Sequence, residues 1–422
     1  MSSPFDVPAR TPLRVAITKG AYGDEYAAEP ERMYQEAHPD AEIEHVGTWR
    51  IDEALEPLFA AGNPPDVVTS AGANTLNIGQ LITDGELLDL APVLDAPSYD
   101  DPARTVRETL LPSVVAAGTH NGTCYTMNYT YNVYGLWYSQ SLFAERGWSY
   151  PRTWADMLDL CAEIKASGMA PWTYPGQFGQ YMVWPMLAMA AKAAGERVLV
   201  DIDNLVPNAW HADGVRAAAE AFAELGRRGY ILEGTEARDH IESESQWLAG
   251  NAAFVPAGNW VENEMRAETP PGFAMAQAPV PSLGPDDALP FDAVVAPVAE
   301  PFFVPTKARN PEGGMEFLRL MFSRRAAGHF AELTGALSTV AGAGERATGG
   351  TGFASTRAMV EAAGENTVHF RFNIWYLALY RAAGAATGDL LHGRITTAEW
   401  SDRIQRVADE TAADPSITKF RR

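Results

Sequence analysis

The sequence predicts an α/β protein of two lobes, and three observations carry that expectation. The chain has 422 residues, more than a single hydrophobic core usually organises. Its composition, 46% hydrophobic and 20% charged, is that of a globular chain rather than an extensively disordered one. Near its start, short apolar strands alternate with helical segments, which is the pattern of an α/β layer.

The elements can be justified in order. Leu13-Arg14-Val15-Ala16-Ile17 reads as a first strand, followed by a Gly20/Gly23 turn and a helix with diffuse apolar positions. Ile43 to Val46 reads as a second strand and Ile51 to Ala61 as a helix. The Asn63-Pro64-Pro65 turn then launches Asp66-Val67-Val68-Thr69, an apolar run of the kind buried in a parallel sheet. Thr153-Trp154-Ala155-Asp156 resembles a capping box, with Met157, Leu158, Cys161 and Ile164 at helical spacing until Gly168. Ser243 with Gln246, and Thr396 with Glu399, repeat that start signal. Asn310-Pro311 supplies a cap and an N1 proline ahead of Met315, Leu318, Met321 and Phe322, an apolar stripe expected in the core.

Several function classes are disfavoured. The balance of 32 Lys and Arg against 54 Asp and Glu gives a net charge of −22, which repels phosphate backbones and anionic lipid, so nucleic acid is not an expected partner. Cys124 and Cys161 stand far apart, outside any Cys-x-x-Cys pattern, and read as free thiols, with a single disulfide left open. The eight histidines include no i,i+3 or i,i+4 pair, so a helix-borne zinc motif is absent and neither metal nor cofactor is expected. Gly-x-Ser-x-Gly and the phosphate-binding P-loop are missing. The Gly-rich stretch 341–352 has no strand leading into it and reads as a surface connection. No apolar run reaches membrane-spanning length. The start, Met1-Ser2-Ser3-Pro4-Phe5-Asp6, lacks signal-peptide features, which fits a cytoplasmic chain or a removed export signal.

What the sequence offers instead is a recurring mixture of aromatic and amide residues: Trp172, Tyr174, Gln177 and Tyr181, then Asn259-Trp260, then Arg371, Asn373 and Trp375. A pyranose has weakly apolar C–H faces and a rim of hydroxyls, so flat rings and planar hydrogen-bonding groups suit it. Carboxylates are plentiful, but no spacing marks two of them as a glycosidase pair. No catalytic residue is therefore assigned.

The order of segments resembles a known family. Asn63-Pro64-Pro65-Asp66-Val67-Val68 followed by Leu81, Gly85 and Leu87-Leu88-Asp89-Leu90 resembles the first lobe of solute-binding proteins of carbohydrate ABC transporters. Gly135-Leu136-Trp137-Tyr138, then Phe143, Gly147, Pro151-Arg152-Thr153-Trp154 and Gly168-Met169-Ala170-Pro171-Trp172, resembles the entry into that family's second lobe. Ala252-Ala253-Phe254, Gly258-Asn259-Trp260, Phe303-Val304-Pro305, Lys307 and Asn310-Pro311 complete the order. The stretch from Tyr129 to Trp137, the run from Gly258 to Asn263 and the segment from Phe370 to Trp375 look most like actinobacterial N-acetylglucosamine and chitobiose binders.

The resemblance implies a type II periplasmic-binding-protein-like fold with a ligand cleft between lobes that close like a hinge. The expected lobes are discontinuous: 1–127 and 279–340 for the first, 128–278 and 341–422 for the second. It also implies a monomer outside the membrane, lipid-anchored, that hands a sugar to permease subunits. Carried over by position, Trp260, Trp375 and Tyr181 look like the stacking residues, with Trp172, Gln177, Asn259, Arg371 and Asn373 in the same segments. Ser70 and Asn74 follow a strand's carboxyl end, where open α/β sheets place ligand contacts. Trp49 follows the second strand likewise. Asn128, Tyr131 and Asn132 at the first crossover are expected to complete the polar rim, and Glu262 to accept from a hydroxyl or an acetamido N–H. A glycoside hydrolase on similar sugars, or a binder of peptide, polyamine or an iron complex, stays open as the alternative.

Overall fold

The structure, a computed structural model, describes residues 3–72, 74–344 and 349–422, apart from the side chains of Pro112 and Ser113. The chain divides into two compact units, Met1–Asn132 with Val298–Thr348 and Val133–Pro297 with Gly349–Arg422. The boundaries therefore fall at 132/133, 297/298 and 348/349 rather than at 127/128, 278/279 and 340/341. Backbone pairing explains the longest shift, over residues 279–297. Trp154 N donates to Ser282 O at 2.8 Å and Tyr134 N to Val295 O at 2.9 Å, and Val294–Val295 pairs in parallel with Thr367–Val368. All these partners belong to the second unit, and a buried backbone stays where its hydrogen bonds are made.

In the first unit a five-stranded sheet runs in the order Ile43–Thr48, Leu13–Thr18, Val67–Thr69, Val298–Phe303, Met127–Tyr131. The first three strands are parallel, and the late strand Val298–Phe303 enters antiparallel to both of its neighbours. Leu13, Val15, Ile17, Val67 and Val68 are buried, as the apolar runs predict. Asp66 ties early chain to late chain: Arg14 N donates to its Oδ2 at 2.8 Å and Asn310 N to its Oδ1 at 2.9 Å. Asn310 caps the helix Pro311–Met321 by accepting from Gly313 N. The stripe after it is only partly the expected one. Leu318, Met321 and Phe322 are buried and Met315 is half-buried, while the core face also takes a Glu316–Arg319 ion pair at 2.6 Å.

In the second unit the sheet order is Met275–Ala278, Gly135–Ser139, Ala252–Ala257, Ala170–Trp172. The helices Gln180–Ala194, Asp213–Arg227, Leu377–Leu391 and Thr397–Ala413 pack with one another. Thr153 caps Trp154–Ala166 and Thr396 caps Thr397–Ala413 as expected. The Ser243/Gln246 start is corrected: the helix is His240–Leu248, capped by Asp239 with Glu242 in a reciprocal box, and Ser243 is interior. Asp-x-x-Glu closes both hydrogen bonds of the box, and it lies upstream of the weaker Ser-x-x-Gln.

Cys124, in the first unit, and Cys161, in the second, are free and buried. Burial pushes their thiols up to about 11 and about 12. Of the Gly-rich stretch 341–352, residues 345–348 lie outside the described residues, and Thr351-Gly352 already open the helix Thr351–Ala363.

Candidate functional site

The second unit gathers aromatic side chains from three places. Helix Gln180–Ala194 begins right after the turn Gly176–Phe178 and presents Tyr181 and Trp184, three residues apart and therefore on one face. The strand Ala252–Ala257 ends in Gly258-Asn259-Trp260, and the Trp260 indole folds back over Gly258 so closely that a Cβ there would overlap the ring. That turn is pinned, because Trp137 Nε1 donates to Gly258 O at 2.9 Å and Val133 N donates to Asn259 Oδ1 at 3.1 Å. Tyr134 comes from the segment leading into Gly135–Ser139.

These rings form one group. Tyr134 stacks on Trp184 at 4.3 Å and 5°. Trp260 stands edge-on to Tyr134, Tyr181 and Trp184 at 6.0, 6.3 and 5.8 Å. Tyr181 lies 4.2 Å from Trp184, and Trp184 Nε1 donates to Tyr380 Oη at 2.5 Å. Phe370 approaches Tyr134 at 6.3 Å. Burial raises the Tyr181 and Tyr380 phenols well above their ordinary value, so both remain neutral donors. Tyr134, Trp184, Tyr380 and Phe370 were missed from sequence. The Tyr181-x-x-Trp184 spacing was the available signal for one of them.

The remaining candidates of this unit separate. Trp172 is a core residue, fully buried against Phe254, Phe222 and Trp154 at 5.6, 6.0 and 6.3 Å, so its ring has no face for a ligand. Gln177 is exposed and donates to Ala237 O at 2.6 Å. Glu262 is engaged within the chain. Its carboxylate accepts from Gly352 N at 3.0 Å and Phe353 N at 2.7 Å and thus caps the helix Thr351–Ala363. A Cβ at Gly352 would stand 3.0 Å from the Glu262 carboxyl carbon, so a glycine lets that carboxylate close in. Trp375 packs against Phe420 and Tyr376 at 5.4 and 6.3 Å, under the Arg371 guanidinium at 5.8 Å; the chain itself engages that ring. Arg371 N donates to the buried Asp203 carboxylate at 2.7 Å. Asn373 is half-buried, and its Oδ1 is buried without a hydrogen-bond partner among the described residues.

In the first unit, Trp49 and Asn74 come together at the ends of their strands: Asn74 Nδ2 donates to Trp49 O at 3.4 Å. Trp49 is 60% exposed, and the Arg50 guanidinium lies 4.9 Å over its ring. Ser70 is instead committed to its own loop, since its buried Oγ accepts from Leu76 N at 2.8 Å and meets Thr75 Oγ1 at 2.9 Å. Asn132 is buried, and its Oδ1 accepts from Tyr22 Oη at 3.2 Å and Thr130 Oγ1 at 3.1 Å. Asn128 is buried within its strand. Tyr131 is half-buried and its N donates to Leu337 O at 2.9 Å.

Comparison with known proteins agrees with this architecture. The chain is 28% identical over its full length to the diacetylchitobiose binding protein NgcE of Streptomyces coelicolor, covering 89% of that protein. Among solved structures, the apo form of RafE from Streptococcus pneumoniae superposes with a TM-score of 0.72 at 17% identity, over 96% of this chain and 98% of that one. A chitin oligosaccharide binding protein gives 0.71 at 20% identity, over 92% and 93%. These likenesses establish the fold as the expected type II periplasmic-binding type. Residues 16–328 match the family described as bacterial extracellular solute-binding protein, and the chain belongs to that family.

Proposed function

We propose that this protein is the ligand-capturing component of a sugar ABC importer, taking an oligosaccharide or amino sugar of the N-acetylglucosamine or chitooligosaccharide type. One observation carries the reading. Trp137, Trp172, Trp210, Trp247 and Trp400 are completely buried, whereas the rings that gather around Trp260 each keep some exposure: Trp184 at 6%, Trp260 and Tyr134 at 8%, and Tyr181 and Tyr380 half-buried. Flat rings that are not fully enclosed, with two neutral phenols among them, offer what a sugar's C–H faces and hydroxyl rim require.

Asn373 Oδ1, buried and unpartnered among the described residues, supplies an acceptor in the segment that continues from Phe370. In the first unit, the exposed Trp49 with Asn74 and Arg50 is a second surface of the same chemistry. The relative named for diacetylchitobiose supports the amino-sugar class. The protein works outside the cytoplasmic membrane, held there by a lipid anchor, and passes its sugar unchanged to permease subunits. Among the described residues no helix is long and apolar enough to cross a membrane.

Calorimetric titration with monosaccharides, neutral disaccharides and chitooligosaccharides tests the reading. Diacetylchitobiose or a longer N-acetylated oligomer is expected to bind with a Kd in the micromolar range or tighter, about −8 kcal/mol. Binding no tighter than millimolar across the whole panel, or product release from a chromogenic glycoside, would refute it.

A further inference from the structure

The hydrogen bond between Trp184 and Tyr380 has a fixed direction. An indole nitrogen only donates, so in the contact of Trp184 Nε1 with Tyr380 Oη at 2.5 Å the phenol oxygen is the acceptor. The phenol keeps its own proton, which is left to donate elsewhere, and among the described residues Tyr380 Oη has no other partner. Tyr380 is half-buried rather than enclosed.

The backbone sets this pair. Tyr380 lies in the first turn of the helix Leu377–Leu391, and Trp184 in the second turn of Gln180–Ala194. Two glycines let these helices touch: a Cβ at Gly179 would stand 2.2 Å from Gly384 O, and one at Gly384 would stand 2.8 Å from Gln180 N. Tyr380 is four residues before Gly384 and Trp184 four after Gln180, one turn away from that contact on each helix. Phe372 meets the Tyr380 ring edge-on at 5.7 Å, and Trp184 is held by its stack on Tyr134 at 4.3 Å. The phenol proton is therefore presented from a ring fixed by its packing.

We propose that Tyr380 is a specificity-determining residue of the sugar site: while Trp184 donates to its oxygen, its O–H donates to the acetamido carbonyl of an N-acetylated sugar. The inference deepens the sugar-binding reading of the Trp260 group and rests on it. An amide oxygen offers lone pairs and carries no proton, which matches a donor of fixed polarity. An ammonium in the same place has protons only and leaves the phenol O–H unpaired, and a site built to hydrogen-bond one group rejects the analogue that lacks it. A sugar hydroxyl can accept, but it brings a proton that needs an acceptor of its own, and the side chains of Trp184 and Phe372 beside Tyr380 offer none. Donation from Trp184 also polarises the phenol, because hydrogen bonds in a chain strengthen one another. Burial, which raises Tyr380 well above its ordinary value, keeps the proton in place at every pH of interest.

Y380F removes one oxygen and keeps the ring. Calorimetry with diacetylchitobiose is expected to show a loss of about tenfold in affinity. That loss alone could come from Trp184 losing its acceptor, so the deciding readout is on the ligand. In isotope-edited infrared spectra of bound diacetylchitobiose labelled with carbon-13 at the acetamido carbonyls, the wild-type complex is expected to show a carbonyl band that moves to higher frequency in Y380F. A Tyr380 that acted only through Trp184 would leave the band where it is, and an unmoved band overturns the proposal, as does an affinity unchanged within about twofold. In crystals of the wild-type complex, an acetamido oxygen farther than about 3.5 Å from Tyr380 Oη refutes it without any variant. Wild type that binds neutral disaccharides but no N-acetylated one overturns this inference and leaves a sugar-binding protein; wild type that binds no sugar strikes the functional reading itself.

Discussion

Single residues of one type serve different ends here, and burial tells them apart. Trp172 and Trp260 both looked like ligand residues from sequence, but Trp172 is enclosed by Phe254, Phe222 and Trp154. Trp260 shares a partly exposed group with Tyr134, Tyr181 and Trp184. W260A is therefore expected to weaken sugar binding by about 100-fold or more, roughly 3 kcal/mol. Because the ring is only 8% exposed, the same change should also cost about 2 to 4 kcal/mol of stability, read by urea unfolding. Glu262 gives the converse case. E262A removes the acceptor for Gly352 N and Phe353 N, so the loss should appear as about 1 to 2 kcal/mol of stability. Sugar affinity measured by calorimetry should hardly change; a large affinity loss at full stability would return Glu262 to the ligand.

At the scale of elements, the helix Gln180–Ala194 carries Tyr181 and Trp184 at one end and Lys192 near the other. Lys192 is buried, with its Nζ donating to Val280 O and, at 2.6 Å, to Phe291 O, so the ammonium pins the segment after the strand Met275–Ala278 onto this helix. Burial lowers its pKa from 10.5 to about 7, against the opposing pull of Asp292 and Asp287. Between those values the unfolded chain binds more protons than the folded one, so this group's contribution to stability rises with pH over that window. Wild type should gain up to about 2 kcal/mol from about pH 7 to about pH 9 relative to K192M, in urea titrations at each pH. Parallel profiles of the two proteins would contradict the assignment.

Legibility at this scale followed locality. Asn310-Pro311, Thr153 and Thr396 announced their helices because a cap bonds within its own turn. The helix His240–Leu248 starts ahead of the position that Ser243 with Gln246 suggests, because two cap signals stand close together and Asp239 with Glu242 is the stronger. Lys192 carried no signal at all, since its partners Val280 and Phe291 are remote in sequence.

For the whole molecule, the order of apolar strands, turns and caps was enough to give the α/β class and the family. It could not give the unit boundaries closely: residues 279–297 join the second unit through pairings with Arg152, Tyr134 and Val368 that only the folded chain reveals. The aromatic group was half legible. Tyr181 and Trp260 stood out among amides, but Tyr134, Trp184 and Tyr380 reach them through tertiary packing, and periodicity alone assigns such rings to a core. Trp49, at 60% exposed, directly follows the strand Ile43–Thr48, and that position is what singles it out in the sequence. The central claim is that the partly exposed aromatic group of the second unit is where sugar is held. A crystal structure of the protein with diacetylchitobiose tests it most directly: the account predicts a pyranose ring against Trp260 or Trp184, with Tyr181 at its edge. A sugar bound without touching Tyr134, Tyr181, Trp184, Trp260 or Tyr380 would contradict it.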